Sequence, residues 1–173
     1  FTALSQPDPS PIFRMNTLCV PRAGTGFVHG GRASTVFSRT CPAYIEDISE
    51  IHRTEPYVYS QMIAGKDAPT FGEAKNSWLT GTSAWTFVSI SQSILGIKPA
   101  LDGLEIDPCI PSWLAGYTVK RRFRGAAYVI AVSNPDGVQH GICELAVNGN
   151  VQQGRIIPPA APGETVNVTV TMG

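Results

Sequence analysis

TSAWTFVSISQSILGIKPALDGLEIDPCIP, Thr82 to Pro111, holds the change of rhythm on which the fold of this chain turns. Through its first half, Ala84, Phe87, Val88, Ser91, Ile94 and Leu95 follow the i, i+3, i+4, i+7 spacing of one helical face. Trp85 and Ile90 lie off that stripe, so the helix is apolar around most of its circumference and is expected to pack inside a larger helical assembly. Gly96 and Pro99 supply its stop.

From Asp102 onward the rhythm becomes strict alternation. Tyr128, Ile130 and Val132 form one set, Cys143, Leu145 and Val147 a second, and Val166, Val168 and Val170 a third, each the pattern of a half-buried strand. Turn chemistry separates them at Asn134-Pro135-Asp136-Gly137, at Asn148-Gly149, and from Pro158-Pro159 through Gly163. Such spacing suits a small antiparallel sandwich. The expected boundary falls between Leu101 and Pro111, dividing the chain into 1–101 and 102–173. Ahead of the helix, Phe1 to Val28 is rich in Pro, Ser, Gly and Thr and sustains neither period.

With 13 basic and 13 acidic residues among 173, the chain has no net charge and no footprint for nucleic acid or an anionic membrane. A neutral ligand such as a sugar fits better. Apolar residues never run for the ~18 positions of a membrane span, and FTALSQPDPSP lacks the basic and apolar regions of a leader, so the chain reads as soluble, unprocessed and cytoplasmic. Cys19, Cys41, Cys109 and Cys143 lack zinc-type spacing; a reduced compartment is the simpler reading, with two disulfides left open. Lys120-Arg121-Arg122 with Arg124 reads as the solvent face of a strand.

Chemistry-bearing residues gather just before the helix. In Trp78-Leu79-Thr80-Gly81-Thr82-Ser83, hydroxyls and a glycine meet the unpaired N–H groups of a helix start, an arrangement that can hold phosphate, although Thr80 or Thr82 can equally be a plain cap. Gln61 has an amide able to donate and accept together, suited to the paired hydroxyls of a pyranose. Glu55, Asp67, Glu73, Lys75 and Trp78 could line a sugar site but are equally common loop residues, and no role is assigned to them. Glu46, Asp47 and Glu50 suit the polar side of a short helix better than an acid–base pair. His52 and His140 lack a second ligand at i+3 or i+4, so no metal site is expected. Asn167-Val168-Thr169 fits a glycosylation acceptor by formula only.

The segment Glu55–Trp85, EPYVYSQMIAGKDAPTFGEAKNSWLTGTSAW, closely resembles the C-terminal part of the inverting glycoside phosphorylases, and within them the cellobiose phosphorylase type. The likeness is dense from about Gly31 to Pro111 and looser to Gly173. It implies the last helices of an (α/α)6 barrel followed by an antiparallel β-sandwich. It also implies phosphorolysis of cellobiose, with inversion, to α-glucose 1-phosphate and glucose. On the matching positions, Thr80 and Gly81 would help hold the attacking phosphate, and Gln61, 19 positions before Thr80, would contact the glycosyl unit. Phosphate replaces the water of an inverting hydrolase and needs no carboxylate base, so one general acid suffices.

The resemblance puts that acid, an Asp, upstream of this chain, so the chain alone would be inactive. It implies no metal and no organic cofactor, inorganic phosphate as co-substrate, and a homodimer for the full-length parent. Two departures stand out. A phosphate-binding His of the family falls, 46 positions before Gln61, on Met15, and Pro21 interrupts the helix that should follow. His29 then lies in a surface turn. A shifted reading frame before residue 28 would account for both departures. Two other readings stay open: a non-catalytic carbohydrate-binding or structural sandwich, and a phosphorylase of another β-linked disaccharide, such as chitobiose.

Overall fold

The computed structural model describes residues 12–13, 29–44 and 46–173. The chain is mixed α and β. Its first helix, α1 (Gly30–Thr40), starts where the His29 carbonyl accepts the N–H groups of Arg32 and Ala33, both at 3.1 Å. Its buried side is Gly30, Ala33, Val36 and Thr40, a spacing of three and four residues that lines one face. Gly30 is demanded by contact, because the Ile110 backbone occupies the space where a Cβ would stand. His29 is exposed at this turn.

Short 3-10 turns at Pro42–Tyr44 and Glu46–Ile48 lead into a single helical turn, α2 (Ser49–His52), which ends at Arg53 with φ 55°. Asp47 and Glu50 are exposed there, whereas His52 is buried. Further on, β2 (Met62–Ile63) pairs antiparallel with both β1 (Ile12–Phe13) and β3 (Ala74–Lys75).

The expected helix forms as α3 (Thr82–Val88) and continues through Ser89–Ile94 as a π-helical stretch, closed by Leu95 N–H donating to the Ile90 carbonyl at 2.8 Å. Its buried face corrects the expectation. Thr82, Thr86, Ser89 and Ile94 turn inward, while Phe87 is 68% and Trp85 49% exposed and Ala84 also faces out. The elements of this chain that pack on the helix meet its small hydroxyl side, and the wider π turn shifts the phase beyond Val88. Apolar spacing located the helix, and within this chain its Phe87 side is left uncovered.

Gly96 ends the helix at φ 65° with the Asp107 backbone where a Cβ would lie. Strand β4 (Ile97–Pro99) follows directly and pairs with β5 (Leu104–Ile106), which pairs with β10 (Ile156–Ile157). The second sheet has the order β6 (Gly116–Phe123), β7 (Ala126–Ser133), β11 (Thr165–Thr171), β8 (Glu144–Val147), β9 (Asn150–Val151). Leu104, Ile106 and Ile157 of the first sheet share one core with Tyr128, Ile130, Val132, Val166, Val168 and Val170 of the second, and Ala33 and Ile94 join it.

Two details differ from the sequence reading. The β7–β11 pair runs parallel, Ile130 opposite Val168, because the chain returns through β8, β9 and β10 before laying β11 beside β7. Cys143, expected on an inward stripe, lies exposed before β8, whose own burial starts at Leu145. Asn148 and Gly149, at φ 48° and 82°, make the expected hairpin turn between β8 and β9. Among the described residues Cys41, Cys109 and Cys143 are unbonded; Cys19 lies outside them. Among the same residues no helix is long and apolar enough to cross a membrane.

Side chains stitch the helix end to the sheets. Tyr117 Oη donates to the Leu95 carbonyl at 2.7 Å, Arg121 to Ile97 at 2.8 Å, and Arg124 to Leu101 at 2.8 Å. Asp107 accepts from Lys98 at 2.8 Å, from His140 at 3.0 Å and from Arg155 at 2.6 Å, tying three separate segments to one carboxylate. The basic run read as a solvent face is thus divided: Lys120, Arg122 and Arg124 are exposed, while Arg121 turns partly inward.

Candidate functional site

The segment from Glu55 to Thr82 is built on the short β2–β3 ladder, Met62 opposite Lys75 and Ile63 opposite Ala74. Its turn-rich loop is closed by Ala64 N–H to the Glu73 carbonyl at 2.9 Å and Gly72 N–H to the Ala64 carbonyl at 3.0 Å, with Gly72 at φ 84°. Pairing continues one step past the ladder. Gln61 N–H donates to the carbonyls of Lys75 at 3.2 Å and Asn76 at 3.3 Å, and Asn76 Nδ2 donates to Gln61 Oε1 at 2.9 Å. The sugar-contact candidate is therefore tied to a residue four positions before Thr80.

At the helix start, Thr80 Oγ1 accepts Thr82 N–H at 3.1 Å and lies 2.6 Å from Thr82 Oγ1. Either hydroxyl can be the donor in that second contact. Thr82 is fully buried, so donation from Thr82 is the arrangement that satisfies its O–H, and it leaves the Thr80 hydrogen for another partner. Thr80 thus braces the helix entrance from the position before Gly81, which is the N-cap. Gly81 is exposed beside it. Ser60 Oγ and Thr86 Oγ1, on either side of this construction in sequence, are buried without a hydrogen-bond partner among the described residues.

The charged residues left unassigned are mostly self-paired. Glu73 meets Lys75 at 2.5 Å, and that hydrogen bond, with the charges of Lys75 and Arg53, holds its carboxyl below the ordinary range against a desolvation that opposes it. Asp67 pairs with Lys66 at 3.0 Å on the surface. Glu55 accepts the Trp78 ring N–H at 2.9 Å. A hydrogen bond from its own backbone, then Trp78 and Ser77, lower the Glu55 carboxyl. The Glu55–Trp78 bond forms a second tie between the Gln61 and Thr80 segments. Trp78 and Leu79 remain 74% and 77% exposed, presenting apolar surface next to the hydroxyl pair. Glu55 also borders a cavity of 240 Å³ with His52, Thr54 and Tyr57.

Sequence reasoning missed Asn76. A two-residue strand is too short to show alternation; the available signal was the turn-rich stretch Gly65 to Gly72 that separates Met62-Ile63 from Ala74-Lys75. Met15 and Pro21, on which the departure at the phosphate site rested, lie outside the described residues.

Residues 8–96 match the model of the glycosyl hydrolase 94 superfamily catalytic domain, and the chain belongs to that family. The match starts ahead of the region that breaks the motif, so that region also falls within it. N,N'-diacetylchitobiose phosphorylase of Vibrio proteolyticus is 42% identical over 151 residues, covering 87% of this chain and 19% of that protein. The Vibrio furnissii protein of the same name is 40% identical over 144 residues, 83% of this chain and 18% of the other. Solabiose phosphorylase of Paenibacillus borealis is 31% identical over 163 residues, 86% and 21% respectively. The chain spans about a fifth of the length of these relatives.

Proposed function

We propose that this chain is the part of a disaccharide phosphorylase that supplies phosphate and glycosyl contacts to an active site completed by other residues of a longer protein. Phosphate would rest against Thr80 and Gly81, and the glycosyl unit against Gln61. The observation that carries this reading is the Thr80–Thr82 hydroxyl pair at 2.6 Å, set at a helix start with Thr82 buried and Thr80 partly open. In this mechanism phosphate attacks the anomeric carbon, a carboxylic acid outside this chain protonates the leaving oxygen, and inversion of a β-linked disaccharide yields an α-sugar 1-phosphate. Neither metal nor organic cofactor takes part. The helices are read as the end of an (α/α)6 barrel and 102–173 as the domain that follows. We assign the full protein to the cytoplasm as a homodimer.

The substrate we propose is N,N'-diacetylchitobiose, which the names of two relatives carry. Cellobiose, favoured by the likeness of Gly72–Thr82, GEAKNSWLTGT, is the second candidate. The test is to express the complete reading frame containing this chain and supply phosphate with either disaccharide. A β-linked disaccharide consumed in step with phosphate, with an α-sugar 1-phosphate in the products, is the expected result. Hydrolysis without phosphate, or binding without turnover, would overturn it, the latter in favour of the binding-module reading. The purified 173-residue chain is expected to turn over neither sugar.

A further inference from the structure

We propose that Asn76 is a positioning residue: it fixes the Gln61 amide as a hydrogen-bond donor toward an acceptor oxygen of the bound glycosyl unit. The inference rests on the reading of Gln61 given above.

The β2–β3 register sets the geometry. With Met62 opposite Lys75, Gln61 stands opposite Asn76, and side chains directly opposite across an antiparallel pair share a face. Asn76 holds Gln61 twice, by accepting its backbone N–H at 3.3 Å and by donating Nδ2 to its Oε1 at 2.9 Å. An amide has one accepting end and one donating end. Once Oε1 is taken, Nε2 is the end left for a ligand, and among the described residues it has no hydrogen-bond partner. With Asn76 Nδ2 as the donor, turning the Gln61 amide alone would set two NH₂ groups against each other and lose the bond. Donation into Oε1 also polarises the amide, strengthening its own N–H groups as donors.

A sugar hydroxyl can donate or accept. A Gln61 fixed as donor makes the sugar oxygen the acceptor and leaves that hydroxyl's own hydrogen for another partner.

Asn76 has φ 54°, a conformation that Gly, Asn and Asp adopt most readily. All three suit the turn, but they differ in what they offer Gln61. Gly removes the brace. Asp accepts only, so it would draw the Gln61 NH₂ to itself and turn Oε1 toward the sugar, reversing the polarity of the contact.

The experiment compares Gln61→Ala, Asn76→Gly, Asn76→Asp and the double variant Gln61→Ala/Asn76→Asp in the full-length enzyme, with KM measured separately for disaccharide and phosphate. Asn76→Asp is expected to raise the disaccharide KM about tenfold, the scale of one hydrogen bond, and Asn76→Gly about threefold. The phosphate KM stays unchanged, and Asn76→Asp adds nothing once Gln61 is alanine. Asn76→Gly retains the backbone geometry and decides the matter if the Asp variant folds poorly.

Unchanged disaccharide KM in both Asn76 variants, or an equal Asn76→Asp effect with Gln61 removed, would reduce Asn76 to a turn residue and overturn the inference. An unchanged disaccharide KM in Gln61→Ala would instead defeat the reading of Gln61, and the brace with it.

Discussion

Thr80 Oγ1 accepts Thr82 N–H at 3.1 Å and lies 2.6 Å from the buried Thr82 hydroxyl. Thr80→Ala is therefore expected to cost about 1 kcal/mol of stability through the lost hydrogen bond. It should also raise the phosphate KM of the full enzyme more than the disaccharide KM. Thr80→Ser keeps the oxygen and should restore most of both, read by chemical denaturation and initial rates. Asp107 makes a second prediction at this scale. Desolvation works to raise its carboxyl, but the hydrogen bond and charge of Lys98, with His140, outweigh it and hold the group below its ordinary value. Its contribution to stability is thus complete above the unfolded value near ~3.9 and is lost as pH falls through the lower folded value. Thermal melts from pH 7 downward should show acid destabilisation that is smaller in Asp107→Asn, which starts less stable.

At the scale of elements, the join between helix end and sheets rests on Gly96 and on donors from β6. A side chain at Gly96 meets the Asp107 backbone at a φ of 65°, so Gly96→Ala should destabilise by more than 1 kcal/mol, beyond any entropic gain. Tyr117→Phe removes one donor from the Leu95 carbonyl and should cost about 1 kcal/mol in urea unfolding. The helix itself shows what spacing conveys. Its place was legible from the apolar repeat and from Gly96, whereas its buried side was not: Thr82, Thr86 and Ser89 pack inward because small side chains admit a close neighbour. Likewise β7 and β11 were legible from alternation, because one face of each is buried, but nothing in alternation says that they run parallel. The ladder under the site was illegible, since two residues cannot display a period.

Across the whole molecule, the β4–β5–β10 sheet and the five-stranded sheet share one core, while the stretch between α2 and α3 leaves Tyr57, Phe71, Trp78 and Leu79 exposed. Native-state hydrogen exchange of the 173-residue chain should be slowest in β7 and β11, which are interior strands, and fastest between residues 53 and 81. Equal protection in the two regions would contradict this division.

Local chemistry written along the chain was enough for the succession of helix and strands and the hairpin at Asn148-Gly149, whereas the candidate roles of Gln61, Thr80 and Gly81 came from the resemblance. The succession and the hairpin each depend on neighbours a few positions apart. Strand direction, the face a helix buries, the bracing of Gln61 by Asn76 and the pairing of the Thr80 and Thr82 hydroxyls were decided only in three dimensions. Those features depend on which distant groups are brought together and which are closed off from water, and burial gives a hydroxyl or an amide its orientation by making an unpaired polar atom costly.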